Sequence, residues 1–119
     1  MKDRKKLHAI AKEDGRYSPE AIKFVYEALG HTLKKIVEQP NHISGQTFCL
    51  GARQLATEKW GRLAKMVLNS WGVKTTRDFG EIVYLMIEHK WMSAQPNDSI
   101  EDFNEVYDFQ TVFKDQYGF

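Results

Sequence analysis

Cysteine and proline are scarce in this chain, which has one cysteine, Cys49, and three prolines among 119 residues. A lone cysteine closes no intrachain disulfide, so the sequence does not fit the disulfide-rich secreted class. The low proline content, together with 42% hydrophobic residues, also excludes disordered and collagen-like chains. A chain of this length has room for one ordinary hydrophobic core, and we expect a single domain.

Long hydrophobic runs are missing as well. The longest run near the middle of the chain, Ile82 to Ile87, is far shorter than the about 20 residues that a membrane span requires. The charged N-terminus, Met1 to Ile10, has no apolar stretch behind it that could serve as a signal peptide. We therefore expect a cytoplasmic protein with no membrane segment.

Motifs for catalysis, metal binding and phosphate binding are a third absence. The histidines show no pair at metal-ligand spacing, and the glycines form no phosphate-binding loop. Cys49 lies between Phe48 and Leu50, a setting typical of a buried cysteine rather than of a nucleophile. These absences predict a protein that is not an enzyme and that uses no catalytic residue, cofactor or metal.

Apolar residues at three- and four-residue steps predict helices through most of the chain. Residues 1–15 form a polar, basic N-terminal segment that is a short helix at best. Ser18, Pro19 and Glu20 then mark a helix start, because serine caps exposed amides and proline suits the first helical position. This first principal helix is predicted to run to about Glu38, shortly before a proline.

Three further helices are predicted after it. Ser44 is the candidate cap of the second helix, which runs to about Lys59. Its small residues Gly51, Ala52 and Ala56 would let another backbone approach closely, so we expect this helix to be central. The last two helices are predicted from Leu63 to the Trp71-Gly72 turn and from a cap at Thr75 or Thr76 to about Lys90.

The tail, residues 98–119, places apolar and aromatic side chains on an acidic background. So many exposed aromatic residues would form a large apolar patch, and we therefore expect the tail to dock on the helices. Asp108 is predicted to cap a last short helix in which Phe109 is the most deeply buried residue. The fold prediction is mainly α: one helical domain over residues 16–119, a bundle of about four helices with a docked tail.

The third and fourth helices also permit a winged-helix interpretation. Two helices joined by a short turn that contains Gly72, followed by a loop at Ser93–Ser99, match the outline of a winged helix-turn-helix. Glu81 and Glu88 on the second of these helices would repel phosphates, which favours a plain helical hairpin.

The net charge of +1 hides a split along the chain. Through Met92 there are 16 basic and 10 acidic residues, whereas from Ser93 onwards Lys114 alone opposes six acidic residues. A basic body suits nucleic acid or an acidic protein, and the acidic tail could fold back over the basic surface.

Two functional hypotheses follow. The leading one is a non-enzymatic interaction or regulatory module that binds a protein or a larger assembly, because the tryptophans and tyrosines supply more aromatic surface than a small core hides. The alternative is a winged-helix-like protein that binds DNA or RNA through its basic residues. The candidate contact residues for either partner are Lys5, Lys6, Arg53, Lys59, Arg62, Lys65, Lys74, Arg77, Trp60 and Trp91.

Four stretches carry a resemblance to a known family. They are Arg16-Tyr17, His42-Ile43-Ser44-Gly45, the segment from Ser70 to Val83, and Asp102-Phe103 with Val106-Tyr107-Asp108-Phe109. In these residues the chain resembles a conserved family of short uncharacterised bacterial proteins, known mainly from planctomycetes, verrucomicrobia and their relatives. The likeness covers about residues 16 to 113. It implies a bacterial cytoplasmic protein and carries no activity, cofactor or catalytic residue to this chain.

Overall fold

The computed structural model describes residues 2–35, 43–90 and 98–114. Within these residues the chain is mainly helical and holds no strand, which confirms the predicted small helical bundle. The helices are α1 (Lys2–Asp14), α2 (Pro19–Lys35), α3 (Gly45–Trp60), α4 (Ala64–Ser70), α5 (Thr76–Glu88) and α6 (Phe109–Lys114). Two 3-10 turns, Gly61–Leu63 and Ile100–Phe103, lie before α4 and between α5 and α6.

The N-terminal segment forms a longer helix than the sequence predicts. Helix α1 spans 13 residues and packs on α2, with Ile10 and Ala11 buried. Most of the stability of a helix in a folded protein comes from packing of its apolar face rather than from its intrinsic propensity. Burial of these two side chains therefore holds a segment whose polar composition is a weak helix signal.

The start of α2 is set by a long-range contact and not by the predicted serine cap. Helix α2 begins at Pro19 as expected, but the Ser18 hydroxyl is buried and has no hydrogen-bond partner in the described structure. The Ser18 amide donates to the Trp71 carbonyl at 3.2 Å, which fixes this backbone against the turn between α4 and α5. The cap prediction is wrong because this tertiary contact, and not the side chain, positions Ser18. The predicted end near Glu38 lies outside the described residues.

Helix α3 is central, as the small residues predict. Ser44 caps it, because the Ser44 Oγ accepts a hydrogen bond from the Thr47 amide at 3.1 Å. Gly51 and Ala52 are buried, and a Cβ added at Gly51 would overlap Thr32 Oγ1 of α2. Helix α3 also contacts α4 and α5, so it packs on more than one side.

The turn between α4 and α5 forms as predicted at both of its ends. Gly72 follows α4 with a positive φ of 93°, the left-handed conformation that glycine adopts without strain. Thr75 is the N-cap of α5, and the Asp78 side chain reaches back to accept from the Thr75 amide at 3.1 Å. These local signals fix the end of α4 and the start of α5.

Phe79 of α5 ties four helices together. Its ring is fully buried and lies 6.2 Å from Phe24 of α2, 6.1 Å from Phe48 of α3 and 5.6 Å from Phe109 of α6, between ring centroids. Aromatic pairs at these separations are worth about 0.5–1.5 kcal/mol beyond the area they bury. The same side chain therefore joins the body of the bundle to the tail.

The described part of the tail, residues 98–114, docks as predicted. Phe103, Phe109 and Phe113 are 5%, 2% and 1% exposed. The prediction that Phe109 is the most deeply buried residue is wrong, because Phe113, one helical turn later, is buried slightly more. Asp108 caps α6, because its Oδ1 accepts from the Gln110 amide at 2.8 Å. The predicted wing stays a prediction, because most of the loop at Ser93–Ser99 lies outside the described residues.

Candidate interaction site

Two of the predicted basic contact residues, Lys59 and Lys65, are engaged inside the molecule. Lys59 Nζ lies 3.2 Å from a carboxylate oxygen of Glu27, so α3 and α2 share an ion pair. Lys65 Nζ donates to the Gln110 side-chain oxygen at 2.6 Å, which joins α4 to α6. The charge of Lys59 faces a carboxylate, whereas Lys65 donates to a neutral amide.

Arg53 lies beside the tail. Its guanidinium carbon is 6.0 Å from the centre of the Tyr107 ring, at the outer limit of a cation–π contact. The Tyr107 hydroxyl donates to the Cys49 carbonyl at 2.7 Å, so this aromatic ring is held against α3. Arg53 therefore lies over a part of the tail that is fixed against α3.

Arg77 belongs to a network that the sequence does not reveal. Glu81 accepts from Arg77 Nε at 2.9 Å and from Arg16 Nη1 at 3.0 Å. Arg16 also pairs with Asp14 at 2.8 Å, and Arg77 Nη1 donates to the Asn104 side-chain oxygen at 2.9 Å. The network joins the end of α1, the segment between α1 and α2, helix α5 and the tail. It makes Arg77 a structural residue rather than a free cation for phosphates.

Both carboxylates of this network have a lowered pKa. The hydrogen bonds from Arg77 and then from Arg16 lower the pKa of Glu81 below its ordinary value. Partial burial raises the pKa of Asp14, but the hydrogen bonds from Arg16 outweigh this effect and the net pKa is lowered. Both groups are therefore ionised at neutral pH.

Tyr17 and Asp78 join the segment before α2 to the start of α5. The buried Tyr17 hydroxyl donates to Asp78 Oδ1 at 2.6 Å, and Asp78 Oδ2 accepts from the amide of Lys74 at 2.8 Å. Burial, and then the bond to Asp78, raises the pKa of Tyr17 above its ordinary value, so the phenol stays neutral. Arg16-Tyr17 and the segment from Ser70 to Val83 thus lie against each other.

Lys74 lies at a groove of about 600 Å³ between the start of α5 and the turn before α6. The groove carries Lys74 and Arg77 on the α5 side and Glu105 and Asp108 on the tail side. Glu105 has a positive φ of 49°, which non-glycine residues rarely adopt. The size falls in the range of ligand-binding clefts, about 300–1,000 Å³. Opposite charges on the two sides give the groove no clear preference for an anion or a cation.

The predicted aromatic contact Trp60 belongs to the edge of the core. Its ring lies 5.2 Å from Phe24 and 5.3 Å from Trp71, between centroids. Tyr84 and Tyr107 also pack against the core, so the aromatic residues supply less free surface than the sequence argument assumes. Exposed aromatic surface was the argument for the interaction hypothesis. That argument is weaker for these residues, because their rings pack against other aromatic rings of the core.

The other predicted contact residues are placed less fully. Arg62 is exposed on the 3-10 turn before α4. Trp91 lies outside the described residues, as do the side chains of Lys5 and Lys6, whose backbone belongs to α1. The structure therefore brings together Arg62 and Lys65 near α4, and Lys74 and Arg77 at the groove.

The largest exposed apolar side chains near these cations lie on α4 and the turn before it. Leu63 is 51% exposed and Met66 is 61% exposed, while Val67 is half-buried. Their spacing of three and four residues places them on one side of the helix. Ala64 and Leu68 on the opposite side are fully buried in the core. We call Leu63, Met66 and Val67 the α4 face.

Sequence reasoning assigns Leu63 and Met66 to a helix but not to a surface. Two signals could have indicated that some apolar side chains of this segment remain outside the core. Five of the six residues from Leu63 to Leu68 are apolar, which is more than a single buried side of a short helix can cover. Residues 59–77 also contain five basic and no acidic residues, so the α4 face is embedded in a positive stretch of chain.

Cys49 is a free cysteine that is buried in the core. Burial raises the pKa of its thiol to about 12, so the thiol stays protonated at neutral pH. Among the residues that the structure describes, no three His, Cys, Asp or Glu side chains are grouped to hold a metal ion.

The described helices include none that is long and apolar enough to cross a membrane. No family model, no curated protein and no solved structure matches this chain.

Proposed function

We propose that this chain is a non-enzymatic interaction module that binds another protein, and that the α4 face is the contact surface. The observation that carries the proposal is the exposure of Leu63 and Met66, 51% and 61%, side by side on one helical face. Single exposed apolar residues are normal on protein surfaces, but neighbouring ones that form a strip are typical of interaction sites. Cytoplasmic location and bacterial origin follow from the sequence and its family resemblance and belong to the same proposal.

The energetics favour a protein partner for this surface. Complete burial of a leucine or methionine side chain is worth about 1.5–3 kcal/mol, and a partner would bury the exposed half of each. Methionine is unbranched and adapts to irregular surfaces, and methionine and arginine are enriched in protein interfaces. Met66, with Arg62 nearby, has this composition.

The test is capture of a partner from nuclease-treated native lysate with the tagged full chain. We expect a protein that is retained by the wild-type chain and lost from the Leu63→Ser, Met66→Ser double variant. Leu50→Ser is the matched control, because Leu50 is 49% exposed but lies on α3. Equal retention by the double variant, or loss from the Leu50 control alone, would contradict the assignment of the α4 face.

Nucleic-acid binding is the second candidate, and the uninterrupted basic stretch from residue 59 to residue 77 favours it. Contact with phosphates needs free cations, whereas Lys59 and Arg77 face Glu27 and Glu81. Retention that disappears on nuclease treatment, and that the double variant leaves unchanged, would favour this candidate over a protein partner.

A further inference from the structure

We propose that Met66 is a redox-sensitive position of the α4 face, and that its oxidation to methionine sulfoxide by a hydroperoxide prevents binding of the protein partner. This proposal rests on the proposed function and adds a way of regulating the same surface. Two observations carry it. Met66 is exposed where the other described sulfur-containing side chains are buried, and it lies at the most open point of the α4 face.

The accessible sulfur atom of the described residues belongs to Met66. Residues 2–35, 43–90 and 98–114 contain three sulfur-bearing side chains, those of Cys49, Met66 and Met86. Met66 is 61% exposed, whereas Cys49 and Met86 are 0% exposed. Burial also raises the pKa of the Cys49 thiol to about 12, and a protonated thiol reacts slowly with oxidants. A dissolved oxidant therefore meets Met66 before the other two sulfur atoms.

The reaction requires an oxidant of the hydroperoxide class. With hydrogen peroxide, the thioether sulfur attacks one peroxide oxygen, so a sulfur–oxygen bond forms as the oxygen–oxygen bond breaks. The sulfur loses two electrons and the peroxide gains them. The proton of the transferred hydroxyl passes to the departing hydroxide, which gives the neutral sulfoxide and water. This step needs no acid or base from the chain, so exposure decides which methionine reacts first.

Oxidation changes the character of the α4 face. Methionine is flexible and apolar, whereas its sulfoxide is polar and chiral. Met66 is the most exposed of the large apolar side chains that the structure describes, and Leu63 beside it is 51% exposed. A partner that covers the face would have to bury the sulfoxide oxygen, and a buried polar group without a hydrogen bond weakens binding. We therefore expect oxidation to weaken binding about tenfold or more.

The fold should survive oxidation at Met66, because this side chain lies away from the core. Ala64 and Leu68, on the other side of α4, are fully buried and keep the helix in place. Met86 of α5 is the contrasting case, since a sulfoxide at this position would lie inside the core. Reaction at Met66 alone therefore changes a contact surface without unfolding the chain.

The test compares the tagged full chain before and after treatment with hydrogen peroxide, which is removed before nuclease-treated native lysate is added. The protein followed is the one that the untreated chain retains and the Leu63→Ser, Met66→Ser double variant loses. Mass spectrometry of proteolytic peptides assigns each sulfoxide, including any at Met1 and Met92, which lie outside the described residues. We expect Met66 to react well before Met86, and retention to fall about tenfold or more. Methionine sulfoxide reductases for both sulfoxide epimers should restore it.

Met66→Leu is the matched variant, because leucine keeps an apolar side chain of similar volume but forms no sulfoxide. The measurement for each chain is the ratio of retention after peroxide to retention before it, so the two chains need not bind equally well. We expect a ratio of about one tenth or less for the wild type and close to one for Met66→Leu. Circular dichroism after peroxide treatment checks that the helical fold is kept.

Several outcomes would overturn the proposal. They are oxidation of Met86 as fast as Met66, loss of helical structure when Met66 is oxidised, an equal fall of the ratio in Met66→Leu, and unchanged retention by a wild-type chain that is fully oxidised at Met66. In the last case, retention that still depends on Leu63 and Met66 leaves the proposed function standing. If the untreated chain retains no protein that the double variant loses, the proposed function fails and this proposal fails with it.

Discussion

At the scale of single residues, Glu81 shows how one carboxylate organises distant parts of the chain. It accepts hydrogen bonds from Arg77, four residues away on the same helix, and from Arg16, which is 65 residues away in sequence. The sequence suggests only that this carboxylate repels phosphates from α5. In the structure it holds the segment before α2 against α5, because two guanidinium groups converge on its two oxygens.

The Glu81 network predicts a pH dependence of stability. The folded-state pKa of Glu81 is lowered, so its contribution is present above the unfolded pKa of about 4.3 and is lost as the pH falls through the folded value. We expect Glu81→Gln to lower the unfolding free energy at about pH 7 by less than about 1 kcal/mol, because the pairs are partly exposed.

The measurement is urea unfolding of the wild type and Glu81→Gln between about pH 7 and about pH 3, where the difference should shrink as the pH falls. Glu88→Gln is the control for loss of one charge from the exposed end of α5. A difference between Glu81→Gln and wild type that stays constant over this range would contradict the role of the ionised carboxylate.

Gly51 provides a second prediction at the residue scale. A Cβ at this position would overlap Thr32 Oγ1, which is itself hydrogen-bonded to the Ala28 carbonyl at 2.7 Å. We expect Gly51→Ala to lower the unfolding free energy by about 1–3 kcal/mol through overpacking.

Gly30 is the matched control, because it lies inside α2 and a Cβ there meets nothing within 4 Å. Gly30→Ala should raise the unfolding free energy by about 0.5–1 kcal/mol, since alanine is the better helix former. Chemical denaturation of both variants gives the comparison. A Gly51→Ala protein as stable as wild type would show that α2 and α3 can move apart at this point.

At the scale of elements, the short helix α6 is stable because of the surface it covers. It has only six residues, and an isolated helix of that length does not persist in water. Phe109 and Phe113 are buried, and their rings lie 5.3 Å apart between centroids. The described part of the tail, residues 98–114, is therefore joined to the core through these rings.

The burial of α6 predicts a large effect of truncating one of its rings. We expect Phe113→Ala to lower the unfolding free energy by about 3–5 kcal/mol, as a buried phenylalanine does when it leaves a cavity. The exposed neighbour Thr111 is the control, and Thr111→Ala should change stability by no more than about 0.5 kcal/mol.

Hydrogen exchange tests the same element directly. The amides from Phe109 to Phe113 should exchange far more slowly than in an unfolded chain, and Phe113→Ala should speed their exchange. Exchange at unfolded rates in the wild type would mean that the tail does not hold its position in solution.

At the scale of the whole molecule, several charged side chains form ion pairs within the chain, which reduces the charge that a partner would meet. Lys59 meets Glu27, and Arg16 meets Asp14. A tail carboxyl group is engaged within the tail itself, because Asp108 caps α6. The split between a basic body and an acidic tail therefore overstates the free charge of each part.

This arrangement predicts weak binding to nucleic acid. We expect a labelled duplex or single strand to bind no more tightly than non-specific DNA binding, about 10⁻⁴ to 10⁻⁶ M at physiological salt. Anisotropy titrations at about 50 and 200 mM salt give the affinity and its salt slope. Submicromolar affinity that falls steeply as the salt concentration rises would contradict this prediction. It would support the nucleic-acid hypothesis, with residues 59–77 as the phosphate contacts.

How much of this was predictable depends on the range of each interaction. The Ser44 and Asp108 caps and the Gly72 turn are correctly predicted, because each acts within a few residues of sequence. The cap of α5 is Thr75, one of the two threonines that the sequence predicts. The same local signal at Ser18 gives a wrong prediction. The Ser18 hydroxyl has no hydrogen-bond partner in the described structure, and its backbone amide donates to the distant Trp71 carbonyl. The sequence shows which residues are basic but not what they bind, because partners such as Gln110 for Lys65 and Glu27 for Lys59 come from other helices.

The sequence by itself determined the helical class, the positions of the principal helices and the docking of the tail, since apolar periodicity and caps are local properties of the chain. Only the tertiary structure decided which apolar residues remain outside. Leu63 and Leu68 are both leucines near α4, and the first is half exposed while the second is fully buried. Their difference arises because α3 and α6 cover one side of α4 and leave the other open, which no local pattern encodes.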